Sequence, residues 1–262
     1  MVEEFLDKKY WAIILGGSRG LGLASAKKLA LHGMNICIIH RDTRSDLKGI
    51  ETEFQKIRET GVQLLTFNID VLNQEKRPQV FEGISAAGGT VRCLLHSIAK
   101  GNLKPMIGGD NNILQTDDLQ ITIHNMAISL YEWVREIHQL GLFSKDARVL
   151  SFTSEGNKRA WKHYAAVSAA KAALEALTRN IALEYASQGI RANCIQAGVT
   201  ATKSLDLIPG SNELRKNTIT RNPFNRLTTP DDVADVVYLL CKDEAAWING
   251  AVIPVDGGEQ IN

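Results

Sequence analysis

The stretch Gly16-Gly17-Ser18-Arg19-Gly20-Leu21-Gly22 decides how this chain is read. It follows an apolar run at residues 10–15 and precedes a segment with helical spacing at residues 21–31. Glycines at such a junction let the backbone turn sharply and let a pyrophosphate approach the amides at a helix N-terminus. The spacing is G-x-x-x-G-x-G rather than G-x-G-x-x-G. Its place at the first strand–helix turn is what gives it weight.

The same alternation continues outward. Short apolar, often β-branched runs at 36–40, 62–68, 91–97, 147–152, 190–196 and 251–255 read as further buried strands. Helical spacing occupies 50–60, 74–87, 116–140, 164–186 and 230–240. Thr116-Asp117-Asp118 and Thr229-Pro230-Asp231-Asp232 place a cap and acids at helix starts, where free amides and the dipole favour them. Apolar strands alternating with helices predict an α/β fold, a Rossmann-type doubly wound parallel sheet of seven strands with helices on both faces. No Pro-, Gly- or Ser-rich linker divides the chain, so residues 1–262 are expected to form one dinucleotide-binding and catalytic domain. Two long non-strand stretches follow strand ends: 100–115, with Gly101, Pro105, Gly108 and Gly109, and 197–228, with a short helix near 212–220. Ligands bind at the carboxyl ends of strands in open parallel sheets, so both stretches are candidate site loops.

Composition narrows the function classes. Among 262 residues 44% are hydrophobic and 23% charged, which supports a sizeable core. Thirty Lys and Arg against twenty-nine Asp and Glu leave a net charge of +1, which gives no reason to expect nucleic acid or an anionic membrane as partner. Cys37, Cys93, Cys194 and Cys241 are scattered, with no C-x-x-C pair or metal-ligand spacing, and read as small buried hydrophobes with no metal site. The start, Met-Val-Glu-Glu-Phe-Leu-Asp-Lys-Lys, is charged, and no apolar run reaches a membrane span. The expected setting is a reducing cytoplasm.

Residues 16–22, with the partners that follow, resemble the short-chain dehydrogenase/reductases, and the likeness covers nearly the whole chain. Leu15 stands where that family usually has Thr. The resemblance makes Gly16, Ser18, Arg19, Gly20, Leu21 and Gly22 the phosphate cradle. At the end of the second strand the acid that would bind an NAD ribose is replaced by His40 and followed by Arg41. Arg41 and Arg19 would suit a 2′-phosphate, which favours NADPH over NADH, although Asp42 competes as a ribose ligand. Asp70-Val71 resembles the family's adenine-contacting pair, and Asp70 also reads as an ordinary turn residue. The family's Asn-Asn-Ala-Gly run is replaced by His96-Ser97-Ile98-Ala99, a form similar to that of enoyl-acyl-carrier-protein reductases. Ser97, Ile98 and Ala99 are read as cofactor contacts, and His96 is assigned no chemistry. Gln196-Ala197-Gly198-Val199-Thr200-Ala201-Thr202 resembles the stretch that holds the nicotinamide amide, through Gly198, Thr200 and Thr202, with Val199 in place of the usual Pro.

Reduction by a nicotinamide needs a proton donor at the oxygen gaining charge and a cation that eases the donor's release. The family supplies Tyr and Lys four residues apart. Here Lys171 is preceded at that spacing by Val167, and the phenol lies seven residues back, at Tyr164. The Tyr-x6-Lys spacing is similar to that of enoyl reductases of fatty-acid synthesis. On a continuous helix it keeps the face and shifts the donor by about 4.5 Å along the axis. Conjugate reduction puts hydride two atoms beyond the carbonyl carbon, so its oxygen lies farther off. Ser154 is read as a second donor, with Ser151 and Thr153 as rivals, and Asn125 as the family's helix Asn that anchors a water beside the Lys.

The resemblance thus implies an NADPH-dependent reductase of the C2–C3 double bond of an enoyl thioester. In that reading Lys171 binds the ribose and lowers the Tyr164 pKa, and the acyl chain lies under residues 201–220. A 3-oxoacyl or other carbonyl reductase is the first alternative, a dienoyl-thioester reductase a variant, and a non-catalytic dinucleotide-binding protein a third reading. Lys203, Arg215, Lys216 and Arg221 are candidate contacts for an acidic acyl-carrier protein, or else a solvated surface. By resemblance the helix at 171–186 and the C-terminal strand are interfaces of a homotetramer or homodimer.

Overall fold

Seven short apolar segments form the expected parallel sheet, the five central ones buried on both sides and the two edge strands half-buried. They are β1 (Tyr10–Leu15), β2 (Asn35–His40), β3 (Leu64–Asn68), β4 (Thr90–His96), β5 (Phe143–Thr153), β6 (Ile190–Ala197) and β7 (Val252–Val255). Their order is β3-β2-β1-β4-β5-β6-β7. The computed structural model describes residues 4–108 and 112–261. Alternation along β1 shows the two faces directly. Trp11, Ile13 and Leu15 join one apolar cluster, and Ala12 and Ile14 the other.

The first cluster is covered by α3 (Pro78–Ala86), α5 (Ser129–Gln139) and α6 (Ala165–Glu184). The second is covered by α1 (Gly20–Leu31), α2 (Arg44–Arg58) and α9 (Pro230–Cys241). The remaining helices are α4 (Thr116–Ile123), α7 (Lys203–Asp206) and α8 (Ser211–Arg221). All four cysteines are buried and free. Among the described residues no helix is long and apolar enough to cross a membrane.

Several elements depart from the sequence reading, each for a physical reason. The helix expected over 116–140 is interrupted by a π-helical stretch, His124–Ile128, which the amphipathic period does not encode. Its cap is Gln115 rather than Thr116, with the Asp118 carboxylate accepting the Gln115 N–H at 3.0 Å. Thr229 does cap α9, in a reciprocal box with Asp232. α3 begins at Pro78, which has no N–H to give, and Gln74–Lys76 is a separate 3₁₀ turn. α2 starts six residues earlier than its apolar spacing implied, with a polar, largely exposed first turn. In the 197–228 stretch, α8 lies where a helix was expected, α7 was not foreseen, and a bridge between Thr200 and Thr228 closes the base. In the 100–115 stretch, Gly109 lies outside the described residues.

Candidate active site

The strand order reverses between β1 and β4, and a cavity of about 1130 Å³ opens there at the carboxyl ends of the strands. Every residue read above as a cofactor or catalytic contact lines it, apart from Gly22 and the rival donor Ser151. Gly22 instead makes the turn: a Cβ there would sit 2.3 Å from the Gly16 carbonyl oxygen. Gly16 itself has φ +87° and lies against the Ser97 carbonyl. This fold-back leaves the N-terminus of the twelve-residue α1 open. Arg19 is its N-cap but offers no side-chain cap, and the first turn holds no acid. The first-turn amides and the positive end of the dipole are therefore available to an anion, which fits a dinucleotide pyrophosphate.

At the end of β2 the cations are already engaged. Arg19 pairs with Asp42 at 2.8 Å and with Asp46 at 3.0 Å, and Arg41 pairs with Asp70 at 2.6 Å. Buried His40 meets the second Asp42 oxygen through Nδ1 at 2.9 Å. The Asn68 amide pairs with the backbone of Asp42 in both directions. Asp70 is the partner of Arg41 just after β3. It lines the cavity, and its carboxylate accepts the Leu72 N–H. Burial alone would raise its pKa, but that N–H and Arg41 hold it below the ordinary value. The Val71 carbonyl accepts from Arg77 and Trp133, which fixes the turn.

At the nicotinamide side, Thr200 donates to the Gly198 carbonyl, and Thr202 faces Gly20 across the cavity and caps α7. Val199, unlike the Pro it replaces, has an N–H, and Glu259 accepts it at 3.1 Å.

At the far end stand Tyr164, Lys171, Ser154 and Asn125. Tyr164 is the N-cap residue of α6 rather than a helix residue, although its carbonyl accepts the Ser168 N–H at 2.8 Å. Its ring packs against Trp161 with centroids 5.1 Å apart. It also packs against Gly156, where a Cβ would come within 2.6 Å of the ring. Burial raises the phenol above its ordinary pKa, opposed by the neighbouring Ser154 hydroxyl. The expected lowering by Lys171 is not found. The Lys171 ammonium donates to the Phe152 carbonyl, and burial brings its own pKa down to about 8, against the partial support of Cys194 and Glu175. The Ser154 hydroxyl is buried with no partner at hydrogen-bonding geometry. A buried orphan hydroxyl at the cavity edge suits a ligand acceptor. Ser151 and Thr153, its rivals, are committed to the interior, Ser151 to Cys194 and Thr178 and Thr153 to Glu175.

Asn125 sits in the π-helical stretch and donates to the Ile121 carbonyl at 2.7 Å. Ser129 donates to the Asn125 carbonyl, so its oxygen receives the His96 Nε2–H at 2.8 Å. Burial, with Lys171 nearby, takes the His96 pKa down to about 3. His96 is thus a neutral tether of the π turn, in keeping with its lack of assigned chemistry.

Of the four basic residues read as a docking patch, Lys203 and Lys216 are exposed. Arg215 is paired with Asp206, and Arg221 is turned inward onto Glu155 and Glu259. Glu155, Gly156, Trp161, Glu175 and Glu259 escaped the sequence reading. Only Gly156, two residues after Ser154, carried a local signal.

The match to known proteins agrees with this geometry. The family model described as enoyl-(acyl carrier protein) reductase matches residues 16–260. A tropinone reductase homolog of Arabidopsis thaliana is 28% identical over 99% of this chain and 96% of its own. The enoyl-[acyl-carrier-protein] reductase [NADH] FabI of Bacillus cereus is 27% identical over 98% of this chain and 99% of its own. The solved enoyl-[acyl-carrier-protein] reductase (NADH) of Aquifex aeolicus superposes with a TM-score of 0.82 at 26% identity, over 97% of this chain and 98% of that one. With the glycine turn, the open helix N-terminus and the Tyr–Lys pair on one cavity, the chain belongs to the short-chain dehydrogenase/reductases, in the enoyl-(acyl carrier protein) reductase family, and is a nicotinamide-dinucleotide-dependent oxidoreductase.

Proposed function

We propose that this protein reduces the C2–C3 double bond of an enoyl thioester with NADPH, as a step of fatty-acid synthesis in the cytoplasm. The observation that carries the reading is the position of the phenol. Tyr164 lines the cavity just before α6, while Val167, where a carbonyl reductase of the family has its Tyr, forms apolar wall with Met126. A donor seven rather than four residues before the lysine suits an oxygen remote from the reduced carbon. When bound, the dinucleotide supplies a hydride to the substrate β-carbon. The chain's own residues do the rest. The Tyr164 hydroxyl donates to the thioester oxygen as it gains charge, Lys171 binds the nicotinamide ribose, and Ser154 gives a second hydrogen bond. Leu103, Trp161, Leu205 and Ile208 provide an apolar path for the acyl chain.

For the 2′-phosphate, Arg19 and Arg41 are the residues within reach, each exchanging a carboxylate partner for the phosphate. Asp42, which lines the cavity at the end of β2, supports NADH as the second cofactor reading, because a carboxylate there would accept a ribose hydroxyl. The protein is further proposed to work as one domain with its substrate loop at 197–228, to take an acyl thioester on a carrier protein or coenzyme A, and to assemble as a homotetramer or homodimer. Exposed Leu183 and Trp247 support the assembly. A ketone-reducing activity is the second functional reading, favoured by Ser154 and by the similarity to tropinone reductase homologs.

Tyr164→Phe tests the first reading. It should lower turnover of crotonyl thioester about 10²-fold or more while NADPH still binds. Unchanged turnover would refute the role.

A further inference from the structure

α8 walls the substrate end of the cavity, contributing Leu214 to it, yet only one of its eleven residues, Thr218, is buried. A helix so polar has no apolar stripe to hold it in place. What it has is an ionic anchor. Arg221, its last residue, donates through Nη2 to Glu155 at 3.1 Å and to Glu259 at 2.5 Å. Both carboxylates line the cavity and both are more than nine-tenths buried. Glu155 directly follows Ser154 in the catalytic loop, and its second oxygen lies 3.5 Å from Arg159. Glu259 also accepts from Thr218 on α8 and, through its other oxygen, from the Val199 N–H on the nicotinamide side.

We infer that Arg221 is a positioning residue, which seats α8 against the catalytic loop through Glu155 and against the nicotinamide-side loop through Glu259. One nitrogen of the guanidinium, Nη2, serves both carboxylates and so ties the two loops at a single point. Without it, among the described residues, Glu155 keeps only Arg159 at 3.5 Å and Glu259 only the Thr218 hydroxyl and the Val199 N–H, and the segment that covers the acyl chain loses its register with the donor.

The test uses Arg221→Met, Glu155→Gln and, as control, Asn217→Ala, an exposed residue of the same helix. Glu155→Gln keeps the size of the side chain and leaves the Arg221–Glu259 pair intact, so it decides the matter if Arg221→Met fails to fold. In both variants KM for crotonyl thioester should rise about tenfold, with kcat and the NADPH dissociation constant within about twofold of wild type. Backbone amides of residues 211–221 should exchange hydrogen about tenfold faster in both and at the wild-type rate in the control. The kinetic arm rests on the enoyl reading above and the exchange arm does not, so the two fail separately. If wild type reduces no thioester, the exchange arm alone decides. Wild-type KM in a folded variant, or unchanged exchange in α8, would overturn the inference.

Discussion

Lys171 is buried beneath the sheet's carboxyl edge, and its ammonium is held at a pKa of about 8 by desolvation. The ribose-binding role proposed for it requires charge, which is present below that value and lost as pH rises through it. The Tyr164 phenol moves the other way, raised by burial, and stays protonated across the same range. We therefore expect kcat/KM to fall about tenfold per unit above pH 8. A pH–rate profile flat to pH 10 would contradict that assignment. Linkage has the opposite sign to an ordinary ion pair. The folded pKa lies below the unfolded one, so the penalty for burying the charged amine is full below pH 8 and fades as pH rises toward the free-lysine value. Local spacing made this pair legible in the sequence. Tyr164 and Lys171 are seven residues apart on one segment, and both line the same cavity. The partners of Arg221 were not legible. Glu155 and Glu259 lie 66 and 38 residues from it, and only the folded chain brings them together.

Between β5 and α6 the chain carries Ser154, a short 3₁₀ turn (Glu155–Asn157) and Tyr164, and its shape is pinned from below. Glu175 on α6 accepts from Thr153 and from Asn157, which clamps the two flanks of Ser154. Within that clamp Gly156 lies flat on the Tyr164 ring. Gly156→Ala places a methyl 2.6 Å from the ring, which is hemmed in by Trp161 and has to move. A displaced donor should lower kcat about 10²-fold with NADPH affinity unchanged. Turnover at the wild-type level would show that the ring position is not set here. Element by element, apolar runs located all seven strands, five because they are buried on both faces and the edge strands β3 and β7 from half-buried runs. β5 nevertheless begins at Phe143, four residues earlier than its apolar run, where Phe143 pairs with Val91 beyond a register shift. The π-helical stretch bearing Asn125 was invisible for a related reason. One extra residue per turn changes hydrogen bonding without altering the apolar pattern, and the His96–Ser129 tether that holds it comes from another element.

Across the whole molecule the two ends of the sheet have opposite tasks, chemistry at the carboxyl edge and anchorage at the other. Near the amino ends of β4, β5 and β6, Arg92, Arg148 and Arg191 share the carboxylate of Asp146. Carbonyls at the end of α9, those of Leu240, Cys241 and Lys242, take the remaining donors of Arg92 and Arg148. Asp146→Asn would leave two fully buried guanidiniums short of countercharge. Asp243 still serves Arg92 and Asp146 is partly exposed, so the loss should be near the low end for a broken buried pair, about 3 kcal/mol. Urea unfolding measures it, and a change under about 1 kcal/mol would deny the cluster its anchoring role. Partial burial works against the Asp146 charge, but Arg148 and Arg92 hold its pKa below the ordinary value. Its contribution is thus full above the ordinary carboxylate range and lost as pH falls through the folded value, and the variant should be less sensitive to acid. The same division of labour leaves the substrate end free to define the reaction. The most direct test of that definition is NADPH oxidation by the wild-type protein with crotonyl and acetoacetyl thioesters side by side. A kcat/KM for the crotonyl thioester at least about 10²-fold above that for the acetoacetyl thioester is the predicted result, and preference for the ketone would contradict it.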